Sequence, residues 1–137
     1  MKTRFSLAFL ALFLTACSDN ASVTIYDAKA IEDKIPCMRL VVFPPENKLQ
    51  EQLESLYSFD ARCNFKLEVS KKSGIVCNSQ ENAGKKALAK FPSAYVKMTL
   101  YKENSLVYGY YKDLDEEVEF QDIEDAFTRV QKDLLLK

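Results

Sequence analysis

The chain carries four cysteines, Cys17, Cys37, Cys63 and Cys77, and no histidine at all. Thiols can accept an acyl group, oxidise in pairs or bind a metal. Without histidine, no Ser-His or Cys-His nucleophile pair can be assembled, the commonest general base is missing, and most zinc sites lose a ligand. Cys37, Cys63 and Cys77 follow one another at intervals of 26 and 14 residues, which match neither CxxC nor a zinc pattern. Only three glycines are present, with neither GxGxxG nor GxxxxGK[ST], so a phosphate-cradling loop is hard to build. The acidic run Asp113, Asp115, Glu116, Glu117, Glu119, Asp122, Glu124, Asp125 lacks the spacing and glycine of an EF-hand loop. Carboxylates of this kind also suit the first turns of a helix, where they complement its dipole. They would alternatively offer a docking surface to a basic partner. Acid–base chemistry through Asp, Glu or Lys has no spacing that points to it. We read the chain as non-enzymatic, with no cofactor and no metal.

Cys17 has a context of its own. Lys2 and Arg4 stand at the start, followed by an almost wholly apolar run over residues 5–14. Ten residues of helix span about 15 Å, half a bilayer core, so the run suits a secretory signal better than a permanent span. It ends Leu14-Thr15-Ala16-Cys17, which resembles the lipobox of bacterial lipoproteins. That resemblance covers only the first eighteen or so residues. It implies that residues 1–16 are a signal peptide, that the Cys17 thiol is diacylated, that cleavage falls before it, and that the new amine is acylated. Two or three acyl chains hold a protein far more firmly than one. In lipoproteins of enteric type, aspartate directly after the cysteine retains the protein in the inner membrane. Here Ser18 takes that place and Asp19 follows. The resemblance therefore places the domain on the periplasmic side of the envelope, anchored in the outer membrane rather than the inner.

Loss of residues 1–16 removes Lys2 and Arg4, leaving 17 basic against 20 acidic residues. A mildly acidic balance argues against a nucleic-acid partner. The remaining length suits one domain. Residues 17–34 lack a long periodic pattern and read as a lipidated N-terminus and tether, leaving 35–137 as a single folded domain. In an oxidising compartment, pairing among Cys37, Cys63 and Cys77 is expected, with one thiol left over.

The elements that position these residues follow from periodicity. Residues 36–43 form a short apolar, β-branched run stopped by Pro44-Pro45, a buried strand. Residues 46–57 place Leu49, Leu53, Leu56 and Tyr57 at helical spacing. Residues 63–69 alternate as a strand, 70–74 make a turn, and 75–77 a short returning strand. Asn78 caps a helix running to about residue 90. Residues 94–112 form a long hairpin around Glu103-Asn104, and from about residue 116 the three-and-four spacing of Phe120, Ile123, Phe127, Val130 and Leu134 marks a long amphipathic helix. The order β-α-β-β-α-β-β-α predicts an α+β domain with a mainly antiparallel sheet and helices on one face. Its first six elements could form a ferredoxin-like split βαβ core. In that arrangement all three domain cysteines gather at one end of the sheet, with Cys37 paired to either Cys63 or Cys77.

The hairpin carries the candidate binding site. With residues 101 and 106 opposite, alternation gathers Tyr95, Tyr101, Tyr108 and Tyr110 on one face, among Lys97, Thr99 and Lys112, and sends Val107, Gly109 and Tyr111 to the other. Tyrosine offers large contact area, few rotamers and a polar tip, so binding surfaces use it. Tyrosine also simply suits strands, and a covering helix would make these residues core. The expected function is a lipid-anchored periplasmic module that binds another protein, of the inhibitor, immunity or exclusion type. The alternative is an accessory structural subunit of an envelope or secretion assembly, docked through the acidic last helix.

Overall fold

A computed structural model describes residues 21–74 and 93–136. The signal peptide read at 1–16, Cys17, Cys77, the strand read at 75–77 and the helix read at 78–90 all lie outside the described residues. In chain order the elements are β1 (Ala21–Ile25), β2 (Arg39–Val42), α1 (Asn47–Leu56), β3 (Phe65–Lys72), β4 (Ala94–Lys102), β5 (Ser105–Leu114) and α2 (Phe120–Leu134). The strands form one five-stranded sheet in the order β1-β5-β4-β3-β2, in which only the β2–β3 pair is parallel. This is an α+β fold.

Alternation decides which face of the sheet becomes core. Leu67 and Val69 of β3, Val96, Met98 and Leu100 of β4, and Tyr108 and Tyr110 of β5 are all buried and share one face. Both described helices close that face. α1 brings Leu49 and Leu53, one turn apart. α2 brings Ile123, Ala126, Phe127, Val130 and Leu134, the stripe that a 3.6-residue period lays along one side. α2 starts through a reciprocal capping box, in which the Glu119 N–H donates to Asp122 Oδ2 at 2.8 Å and the Glu119 carboxylate accepts from the backbone of Asp122. The edge-on rings of Tyr57 and Phe59, with centroids 4.9 Å apart, close the core beside Phe127. Burial, and then the nearby Asp60 carboxylate, push the Tyr57 phenol above its ordinary pKa.

Three expectations change here. The stretch read as a tether joins the fold from Ala21 onward. β1 pairs antiparallel with β5, Ile31 and Ile35 are buried, and the Ile35 N–H donates to the Leu134 carbonyl at 3.1 Å. Five residues of strand and two isoleucines four apart are too short a pattern to stand out among Asp27, Lys29, Glu32, Asp33 and Lys34. An Asp27 turn, whose carboxylate accepts from the N–H groups of Lys29 and Ala30, carries the chain off the sheet edge. Second, β2 and β3 are hydrogen-bonded neighbours, with Arg39 opposite Lys66 and Val42 opposite Val69. The βαβ unit is therefore not split, and the ferredoxin-like arrangement is set aside. Third, β3 runs through Lys72, into the stretch read as a turn at 70–74, because β4 pairs with it as far as Tyr95.

The direct parallel pairing accounts for the disulfide. With Arg39 opposite Lys66, stepping back two and three residues brings Cys37 beside Cys63. The two are joined, with Cα atoms 5.9 Å apart. Cys37–Cys63 is one of the two pairings expected from the sequence, reached through adjacent strands rather than through a shared sheet end.

Candidate protein-binding face

The tyrosine face depends on one residue of register. Tyr101 does lie opposite Leu106, as the hairpin around Glu103-Asn104 requires, and Glu103 turns the chain with φ 57°. One step further, however, Leu100 pairs with Tyr108 and not with Val107. Val107 is an extra residue in β5, a β-bulge, and both Val107 and Tyr108 are buried. From Tyr108 onward every side chain of β5 stands on the face opposite to the one simple alternation predicts.

The four predicted tyrosines are therefore divided. Tyr108 and Tyr110 are 0% and 2% exposed, on the core face opposite Leu100 and Met98. They are withdrawn from the binding site. Lys112, opposite Val96, goes with them to that face. Tyr108 donates its hydroxyl to Asp133 Oδ2 at 2.7 Å, and Asp133 also takes Arg129 Nε at 3.0 Å, one helical turn back on α2. Burial first, and the Asp133 hydrogen bond second, hold the Tyr108 phenol far above its ordinary pKa. It is a structural tyrosine that ties α2 to the sheet.

Tyr95 and Tyr101 stay on the open face, and the bulge sends Tyr111 to join them. The register aligns Ser22 with Tyr111 and Lys97 in one cross-strand row, and Thr24 with Gly109, Thr99 and Glu68 in the next. The rings of Tyr95 and Tyr111 stack with centroids 5.6 Å apart and planes inclined by 27°. Tyr111 donates its hydroxyl to Asp113 Oδ1 at 2.7 Å. That bond, helped by partial burial and by the Asp113 charge, pushes the Tyr111 pKa up to about 12. At the other end of the row the Lys66 ammonium lies over the Tyr101 ring, 4.5 Å from its centroid, and within 3.9 Å of Glu68.

Sequence reasoning missed Tyr26, which is 58% exposed just past β1. Its ring passes over Gly109, where an added Cβ would sit 3.4 Å from the tyrosine Cε2. The missing side chain leaves a shallow depression of about 130 Å³, walled by Tyr26, Tyr101, Tyr111 and Lys97 and floored by Gly109 and the nearly buried Thr99. A glycine inside an otherwise β-branched and aromatic strand was the available signal, since it marks a bulge or a close approach.

The face is thus aromatic and mostly polar, with Arg39, Lys66, Lys72 and Lys97 against Glu68 and Asp113. Tyr111 is held by Asp113, the Lys66 ammonium sits over Tyr101, and Tyr26 rests on the strand beneath it. Such side chains lose little further freedom when a partner covers them. The chain matches no protein family, no curated protein and no solved structure.

Proposed function

We propose that this chain is a non-enzymatic, lipid-anchored protein of the periplasmic side of the envelope, in the outer membrane, that binds another protein through the open face of its sheet. The observation that carries the reading is the grouping of Tyr26, Tyr95, Tyr101 and Tyr111 with Lys66 and Lys97 on the sheet face away from α1 and α2. Aromatic residues with polar tips, braced before contact, are what the centres of protein interfaces use. The lipid anchor rests on Leu14-Thr15-Ala16-Cys17 and the apolar run before it.

Two experiments test the two halves. For the face, the full chain, Tyr101→Ala and Tyr111→Ala are compared in melting and in pull-down from envelope extract. Tyr111→Ala is expected to melt as the unaltered chain does, because exposed substitutions usually cost within about 0.5 kcal/mol, and Tyr101→Ala, at a half-buried position, is expected to melt only slightly earlier. An interface anchor among them loses about 2 kcal/mol of binding, or roughly thirtyfold. Stable variants that capture the same partner equally well would move the site elsewhere, first to the acidic start of α2 around Asp122 and Asp125. For the anchor, cells fed a clickable fatty acid should label the chain but not Cys17→Ser; equal label in both rules the anchor out.

A further inference from the structure

The two edges of the sheet are protected very differently. β2 is four residues long, carries Arg39, and is bounded by Pro36 on one side and Pro44-Pro45 on the other. Short length, charge and proline are the usual means of keeping an edge from pairing with another chain. β1, one residue longer, has neither charge nor proline. It reads Ala21-Ser22-Val23-Thr24-Ile25, with no bulge in its pairing with β5, and no described strand pairs with its outer side. Ile25 is 56% exposed. Beside β1 on the helix side, Val23, Ile25, Ile31 and Tyr108 line an open, largely apolar groove that runs to α2.

We infer that β1 pairs with β1 of a second copy of this chain, antiparallel about a two-fold axis at Val23. The strand is complementary to its own reverse. About that axis Val23 meets Val23, Ser22 meets Thr24, and the small Ala21 meets the large, exposed Ile25. Hydroxyls then face hydroxyls on the open side, and apolar groups face apolar groups over the groove, which are favourable cross-strand pairs. No like charges are brought together within the strand. A closed two-fold contact of this kind uses the same patch on both copies and stops at two. It joins the two five-stranded sheets edge to edge, with both open tyrosine faces looking the same way and both described helices of each copy on the other side. This contact is independent of the partner surface proposed above.

The test uses the full chain in detergent. In an antiparallel pair the residues on the axis have Cα atoms about 4.5–5.5 Å apart, within disulfide reach, whereas positions displaced by two residues lie about 7–8 Å apart. Val23→Cys should therefore link to a species of twice the mass on mild oxidation. Thr24→Cys, on the other face and off the axis, should not. Light scattering should find the unaltered chain at twice its monomer mass, and Ser22→Lys with Thr24→Lys should halve that mass. Both positions are exposed, so the double variant should melt as before. A monomer at every concentration, equal linking at positions 23 and 24, or a dimer indifferent to the two lysines would each overturn the inference. So would linking of Val23→Cys to a chain of different mass, because the edge would then serve a foreign strand.

Discussion

Tyr108 and Tyr111 stand three residues apart in β5, and each donates its hydroxyl to an aspartate at 2.7 Å. Beyond that they share little. Tyr108 is fully buried under α2, and its acceptor, Asp133, belongs to that helix, 25 residues along the chain. Tyr111 is 37% exposed, and its acceptor, Asp113, is two residues away in the same strand. The first bond joins two layers of the fold; the second braces a side chain on an open surface. Residue type and hydrogen-bond length do not tell these roles apart. What does is which face of the sheet each residue occupies, and one inserted residue, Val107, decides that.

The comparison can be broken most directly at Tyr108. Tyr108→Ala removes a ring from the closed core and strips Asp133 of one donor. Large aromatic truncations in cores cost about 3–5 kcal/mol, enough to unfold a marginal domain, and denaturant melting should show it. Tyr111→Ala in the same assay should stay within about 0.5 kcal/mol. Similar losses for both would mean that the two faces are not distinct. The next largest effect belongs to the disulfide. Cys37–Cys63 closes a loop with a sequence separation of 26, and opening it with Cys37→Ser and Cys63→Ser together should cost about 3 kcal/mol. Smaller again is Tyr108→Phe, which keeps the ring and leaves Asp133 with Arg129 alone. Loss of one partly buried hydrogen bond to a charged group costs about 1.5–3 kcal/mol. Thermal melting of the two Tyr108 variants side by side separates packing from the hydroxyl.

How much of this was legible depends on the length of each pattern. α2 and β4 carry enough periods, over Ile123, Phe127, Val130 and Leu134 and over Val96, Met98 and Leu100, for the sequence alone to place them and their buried faces. Glu103-Asn104 located the hairpin turn. β1 failed the same test, because five residues at a sheet edge, with Ser22 and Thr24 between Ala21, Val23 and Ile25, give too few alternations to register. Parallel pairing of β2 with β3 is a property of topology that neither strand's residues encode locally. The binding face was half legible. Tyr95 and Tyr101 lie before the bulge and kept their predicted face; Tyr108, Tyr110 and Tyr111 lie after it and all exchanged faces. Gly109 was the visible irregularity, but Val107, an ordinary strand residue, is the one that shifts the register.

The smallest effect expected, and the most specific, is on the titration of Tyr111. The Asp113 bond holds its phenol protonated to about pH 12, against an ordinary value of 10.0. A phenol whose pKa is higher in the folded than in the unfolded chain stabilises the fold fully below about pH 10. That contribution fades as the pH rises toward 12, since the unfolded chain releases its proton first. Tyr108 acts in the same direction, more strongly and from within the core. Ultraviolet absorbance of the folded chain should therefore show Tyr57, Tyr108 and Tyr111 ionising late. Tyr111→Phe should remove one of them while changing stability at neutral pH by no more than about 0.5 kcal/mol, because an exposed hydroxyl exchanges its aspartate for water at little cost. Asp113→Asn should instead bring the Tyr111 step down toward the ordinary range and leave the Tyr108 step where it is. If Asp113→Asn moves neither step, the brace is absent, Tyr111 is free to rotate on the open face, and the preorganisation argued for that face fails with it.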